Sequence, residues 1–553
     1  MKRRQVMRSY AKHPLLGVKL AKQDGSWQPK ALAVAYFFAD FSSRQTGKIF
    51  RKNSDSPLTN LTPIKLKKSD MKNAPYILVV IISIVNAALF TLATAGEVIE
   101  KSSVNQNEVI NTSTSNFSQL AAVIPLQSEG DLHLGVASCA GSNCHGATRP
   151  YLNSTVVQNE YSIWSRDDKH SKAYTVLLGS RSKRIAKNLG LSKSAENSKI
   201  CLDCHADNIP EASRGKRFDI SDGVGCELCH GGGNRYLGPH VSGEVTHAQN
   251  VSLGMYPTEN PEMRAKLCIQ CHVGDDKRFA NHKIMGAGHP RISFELDTFT
   301  EVYKHYQVDA DYIRRKVAAS HVLVWATGQL KASERILELY LNKKHQSNGL
   351  MPELSYYDCQ ACHHSTDEQS NATSETRPSN ESKKSSSKLV WESRQLSGKI
   401  GPGVVRFNDS GLVMSAIIAD LISKEKGDAF RKQIIAMHEA SEKDVRSMHD
   451  HLSNLITALQ SLDAHIKEQV FTIADLKRLL SVIINRSSEN DYYSYASAEQ
   501  AVMAIEAISA TLQSLGDNVI TTNDMNLLRS STISLDTYRP ELFKESLLSL
   551  SAK

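Results

Sequence analysis

Apolar positions in the last third of the chain recur at helical spacing. Val502, Ile505, Ile508, Leu512 and Leu515 fall three or four apart and stop at Gly516, a residue suited to ending a helix. The stretch Gly427–Gln469 is long and charged, with apolar positions such as Phe430, Ile434, Ile435 and Met437. Thr472 followed by Asp475 forms an N-terminal capping arrangement ahead of Ile473–Ile484. The pattern predicts a C-terminal helical bundle region over 389–553. Elsewhere the punctuation is compositional. Residues 371–388 are rich in Ser, Glu and Lys and read as a linker, and 96–130 are rich in Ser, Asn and Thr and read as a flexible lead-in. One continuous apolar run, Ala74 to Ala93, has no helical amphipathicity at all.

The region between lead-in and linker, 131–370, is marked by chemistry rather than by periodicity. It holds all ten cysteines of the chain. Four pairs lie in Cys-x-x-Cys-His motifs: Cys201/Cys204/His205, Cys226/Cys229/His230, Cys268/Cys271/His272 and Cys359/Cys362/His363. A fifth pair is more widely spaced, Cys139-Ala-Gly-Ser-Asn-Cys144-His145. Two thiols at this spacing add across the vinyl groups of a porphyrin, and the histidine that follows reaches iron as its proximal ligand. In the longer motif two extra residues must bulge outward, which Gly141, Ser142 and Asn143 suit. Zinc is a poorer reading, because a zinc site closes one tetrahedral shell from two pairs and needs no histidine after each. A disulfide framework is poorer still, except for a lone Cys139–Cys144 bridge. The expected cofactors are five covalently bound haem c groups with their iron. With porphyrins as apolar filling, 131–370 needs little conventional core and should be short helices and loops, almost without strand.

Covalent haem attachment takes place outside the bacterial cytoplasm, so an export signal is expected. Met71-Lys-Asn, the apolar run and Ala93-Thr94-Ala95 before Gly96 supply one over 71–95. The apolar stretch is long enough for an uncleaved membrane anchor as an alternative. Residues 1–70 carry 15 Lys and Arg against 4 Asp and read as an upstream extension from a start called too early. They and Lys72 account for the basic balance: the whole chain is +8, whereas a chain starting at Gly96 is −4. The positive charge therefore gives no reason to expect a nucleic-acid partner. The expected location is periplasmic, with possible anchoring to the inner membrane.

Several segments resemble the cytochrome c-554 type of multihaem cytochrome. They are Trp164-Ser-Arg-Asp-Asp-Lys-His170-Ser-Lys-Ala-Tyr174, Gly223-Val-Gly-Cys226-Glu-Leu-Cys229-His230-Gly-Gly232, and Gly286-Ala-Gly-His289-Pro290. The end, Cys362-His363-His364 with Trp391-Glu-Ser-Arg394-Gln395, is similar too. The resemblance spans about 131–425, and the chain carries one motif more than the tetrahaem member. It implies mostly bis-histidine haems, stacked in close pairs, that pass electrons between periplasmic partners. It extends to the haem core of hydroxylamine oxidoreductase and nitrite reductase enzymes, in which one iron keeps an open position. The fold class expected is mainly α: a multihaem cytochrome domain of short helices and loops packed around stacked haems, then the C-terminal bundle.

Second iron ligands must come from histidines outside the motifs. His170 and His289 lead because the family-like segments carry them. His240 follows, ten residues after His230 beyond Gly231-Gly232-Gly233, where the chain has room to turn back. His133, His247, His282 and His321 are further candidates. His364 cannot readily serve the haem that His363 holds. His438, His449, His451 and His465 lie on the C-terminal helical pattern and read as solvent-facing. Two axial histidines saturate iron and make a carrier, whereas a vacancy permits substrate binding. No motif replaces its histidine by lysine, and no tyrosine-rich constellation is evident beside a motif. These features favour an electron carrier working with redox partner proteins of the periplasm or membrane. The alternatives are a haem oxidoreductase with one open iron, acting on a small nitrogen or sulfur compound, and an adaptor subunit of a respiratory complex.

Overall fold

The computed structural model describes residues 130–150, 156–316, 318–348, 351–363, 394–398, 405–443 and 445–552. The upstream extension, the export signal, nearly all of the lead-in, the 371–388 linker and His364 lie outside the described residues. The described chain is mainly helical, as its sequence predicts. Its one ladder pairs Ser347–Asn348 with Met351–Pro352.

The first ten helices are short: α1 Glu160–Asp167, α2 Ser180–Leu189, α3 Lys199–His205, α4 Cys226–His230, α5 Leu237–Ser242, α6 His247–Ser252, α7 Pro261–His272, α8 His282–Gly286, α9 Leu296–Val302 and α10 Ala310–Arg315. Their apolar clusters are small. Leu177, Ala186, Ala195, Leu202 and Ala206 form one, Tyr256, Met263 and Leu267 another, and Cys201 and Cys229 pack against them. Clusters of this size bury too little apolar area to offset the entropy of so many ordered residues. The motif cysteines at their margins are where a large apolar group would complete them.

The remaining helices, the first six of them longer than any of these, are α11 His321–Leu341, α12 Ser410–Ile422, α13 Lys424–Lys443, α14 Val445–Ile466, α15 Ile473–Arg486, α16 Tyr495–Ser514, α17 Thr522–Ser531 and α18 Pro540–Leu548. The pattern in Gly427–Gln469 resolves into two helices, α13 and α14. In α14, Met448, Leu452, Leu455, Leu459, Leu462 and Ile466 are all buried, a spacing of alternate threes and fours that keeps one face inward. The capping box before α15 forms as expected, with Thr472 and Asp475 bonding each other's backbone N–H at 3.2 and 3.1 Å. Helix α16 ends at Ser514 and the chain turns through Gly516 at φ +86°.

A boundary at the linker does not divide this core. Val322, Trp325, Leu330 and Leu337 of α11 are buried in one apolar cluster with Ile417, Ile434, Leu455 and Ile508. Helix α11 lies in the motif-bearing part of the sequence but belongs to the bundle by packing. The absence of cysteine after Cys362 located the last motif; it did not locate the edge of the core. Among the described residues no helix is long and apolar enough to cross a membrane.

Candidate haem sites

Helical geometry explains why the motifs take their form. Residues three and four apart share a face, so a helix carrying Cys, Cys and His at successive offsets of three and one presents all three to one side. Numbered in chain order from Cys139–His145 as motif one, motif two ends α3, motif three is the whole of α4, and motif four ends α7. Asn260 caps α7 by accepting from Met263 N at 3.1 Å, ahead of Pro261 in the first turn. Motif five is a 3-10 turn that Asp358 caps through Gln360 N at 3.0 Å. In motif one, Cys144 N donates to Gly141 O at 2.9 Å and closes a turn whose tip, Ser142 and Asn143, is exposed. No disulfide joins any two of the ten cysteines. Among the described residues no group of three or more His, Cys, Asp or Glu is arranged to hold a bare metal ion.

Four motif histidines each face a second histidine. Ring centres lie 6.0 Å apart for His145 and His240, 6.0 Å for His272 and His170, 6.2 Å for His205 and His289, and 6.4 Å for His363 and His282. An imidazole binds a metal at roughly 2 Å through one nitrogen, so two imidazoles on opposite sides of one metal hold ring centres about 6 Å apart. Such pairs can hold an iron between them. The ring planes meet at 7°, 88°, 78° and 35°, as rotation about the common axis permits.

Outer partners fix these rings. His145 Nδ1 pairs with Glu160 at 3.0 Å, His170 Nδ1 with Asp168 at 3.0 Å, and His205 Nδ1 donates to Ala173 O at 3.0 Å. His289 Nδ1 lies 2.8 Å from the Pro290 carbonyl. A bond at Nδ1 leaves Nε2 for a metal and sets the tilt of the ring. The backbone places His170 as well. Val224 N donates to His170 O at 3.1 Å, and Gly223, at φ +77°, comes so close that a Cβ there would meet His170 O at 2.6 Å. His240 stands on α5 after a turn at Gly231, whose φ of +81° and approach to Gly254 O exclude a side chain.

The structure does not bring the other candidates to a motif histidine in this way. His133 is 1% exposed, with Nδ1 at 2.6 Å from Asp207 and Nε2 enclosed by protein. Burial opposes its protonation, but the Asp207 carboxylate outweighs burial and raises the pKa. His247 gives Nε2, the nitrogen that would reach iron, to Glu259 at 2.6 Å. His321 holds Asp297 at 3.1 Å through Nδ1 and faces no motif histidine among the described residues. His438 departs from its solvent-facing expectation: it is fully buried and bonded to Asp409 at 2.8 Å.

His230 stands apart. Among the described residues no ring contact pairs it with a second histidine. Its pKa is pushed down to about 3, first by burial and then by the charges of His305, Lys316, His145 and His247. A stacked pair of tyrosines adjoins His305, one of the groups that act on His230. Tyr306 adjoins His305 and stacks on Tyr312 at 5.7 Å and 17°, Lys316 lies over the Tyr312 ring at 5.2 Å, and Arg264 donates to Tyr306 Oη at 3.3 Å. Apart from Arg264, these residues lie more than 70 positions beyond His230, so no local motif could reveal the neighbourhood.

Glu227, inside motif three, is another residue that sequence reasoning missed. It is 3% exposed, and its carboxylate accepts from Leu134, Gly135 and Gly233 N, each at 2.7 Å. It ties α4 to the loop that leads into motif one. Motifs one and three also meet through their thiols: the Cys226 thiol hydrogen-bonds Cys139 and lowers its pKa. Motifs two and four meet likewise, a bond from Cys204 holding Cys271 at about 7.

A mainly helical chain in which four of five motif histidines face a second histidine has the attributes of a c-type cytochrome. Comparison with known families bears on this directly. Residues 138–231, which include motifs one to three, match the family model of cytochrome c554 and c-prime. Over that segment the chain is similar to this family of c-type cytochromes, and the match supports covalently bound haem and electron transfer. No curated protein and no solved structure matches the chain.

Proposed function

We propose that all five motifs hold haem c and that the protein is a multihaem electron carrier between respiratory partners of the periplasm. The observation that carries this is the set of four histidine pairs at 6.0–6.4 Å. In this reading His145/His240, His205/His289, His272/His170 and His363/His282 are the axial ligands of four irons. Each iron is then saturated, which suits it to outer-sphere electron transfer and closes it to substrate. The Cys139–Cys226 and Cys204–Cys271 contacts support haems one and three, and two and four, as close neighbours.

His230 favours a second reading for one haem. With no histidine ring opposite among the described residues, the iron it would hold keeps a position for a small molecule, and the carrier becomes an oxidoreductase at that site. Intact mass and a redox titration of the exported protein test the proposal. Five haem increments and reduction steps mostly at low potential are expected. Four increments, with a Cys139–Cys144 disulfide, would remove motif one from the wire.

A further inference from the structure

Segment 173–188 holds both sides of the second motif's site. Ala173 O accepts from His205 Nδ1 at 3.0 Å, and Leu177 and Ala186 belong to the apolar cluster that Cys201 packs against. Arg181 Nε and Asn188 Nδ2 donate to Gly288 O and Ala287 O at 3.0 and 2.9 Å, so α2 also steadies the turn that presents His289.

The outer side of this segment is unlike the rest of the chain. Residues 169–195 carry seven Lys and Arg and no Asp or Glu, a balance of +7, whereas a chain starting at Gly96 totals −4 and so has −11 elsewhere. Lys183, Arg184 and Lys187 fall on one exposed arc of α2, with exposed Lys193 just beyond it. None of the four forms an ion pair among the described residues, and Glu196, the next acid along the chain, offsets one of these charges at most. Like charges one turn apart at Lys183 and Lys187, and a first turn without an acid, both oppose the helix, so the pattern does not serve the fold. Apolar side chains stand exposed beside these cations. Val176 and Leu178 are 51% and 47% exposed, and Ile200, also 51%, lines a surface hollow of about 480 Å³ with Leu191, Lys193 and Lys199. Exposed apolar residues within a charged rim are the anatomy of a protein interface.

We propose that this face docks an acidic, soluble redox protein that exchanges electrons with the haem held by Cys201, Cys204 and His205. This rests on the reading of the chain as an electron carrier. One electron crosses per encounter, so the haem iron and the partner's centre change oxidation state together and no bond is made or broken. The negative remainder of the chain repels an acidic partner while this face attracts it, which turns the encounter towards one haem.

The test is stopped-flow reduction of the purified oxidised protein by photoreduced flavodoxin, an acidic one-electron donor, over a series of sodium chloride concentrations. The bimolecular rate constant should fall steeply as salt rises. Combined Lys183→Glu, Arg184→Glu and Lys187→Glu should slow it roughly tenfold at low salt and flatten the salt dependence, with haem content and spin states unchanged. Lys426→Glu, Lys432→Glu and Lys443→Glu together, on exposed positions of α13, change the net charge equally and should keep the rate within about twofold of the parent's. The proposal is overturned if the α2 variant reacts as fast as the parent, or if both triple variants slow alike. It is also overturned if the parent, but not the α2 variant, sediments with phosphatidylglycerol vesicles while flavodoxin reduces both equally, which would make the face a lipid surface. A parent that flavodoxin does not reduce at any salt concentration would instead refute the carrier reading, and the docking face with it.

Discussion

Each paired histidine carries a separable spectroscopic consequence. Replacing His170, His240, His282 or His289 by alanine should convert one low-spin haem to high-spin and leave covalent attachment intact, because the thioether bonds do not involve the distal ring. Magnetic circular dichroism with intact mass checks both parts. His133→Ala and His247→Ala should leave every spin state unchanged, since the His133 ring faces no motif histidine among the described residues and His247 gives its Nε2 to Glu259 at 2.6 Å. Glu227→Ala is expected to act on stability. Two buried N–H groups and one half-buried N–H lose their acceptor, a loss of about 3 kcal/mol measurable by chemical denaturation. These residues differ in how far they could be read in advance. Cysteine and proximal histidine positions follow from covalent spacing, and the glycines after His230 announce a turn back to His240. Nothing near His282 distinguishes it from His133, because the motif histidine that His282 faces, His363, lies far along the chain.

Helices α7 and α11 connect the motif-bearing part of the chain to the bundle, and two expectations follow. Glu262 on α7 pairs with Lys266 at 2.7 Å and with Lys467, just beyond α14, at 2.8 Å. Burial disfavours its charge, but the two lysines outweigh burial and bring its pKa from 4.5 down to about 2. A carboxylate depressed on folding stabilises above its unfolded pKa and loses that effect as pH falls through the folded value. Glu262→Gln should therefore cost about 1 kcal/mol at neutral pH, after allowance for solvent screening, with the difference from the parent shrinking between pH 4.5 and 2. Unfolding curves across that range measure it. Removal of residues 410–553 should be far more damaging than the cysteine distribution suggests. It strips the apolar cover from α11, and it takes away the Tyr495 N–H that bonds Gln360 of motif five at 2.6 Å. The expected product is poorly folded and short of the fifth haem by mass. A soluble five-haem fragment would show that the bundle is only an added cap.

Across the whole molecule, the motifs supply the chemistry and the tertiary fold decides what each site can do. Periodicity gave the bundle helices because a packed apolar face repeats along the chain. It could not give the short helices near the motifs, whose core is completed by a prosthetic group. Nor could it show that α11 shares the bundle core, or that Tyr306, Tyr312, Lys316 and Arg264 gather near His230. Four paired proximal histidines and one unpaired are the central claim, and the number of low- and high-spin haems tests it most directly. Magnetic circular dichroism and electron paramagnetic resonance of the oxidised protein, normalised to haem content, should give four low-spin haems and one high-spin haem. Five low-spin haems, or two or more high-spin haems, would contradict the account.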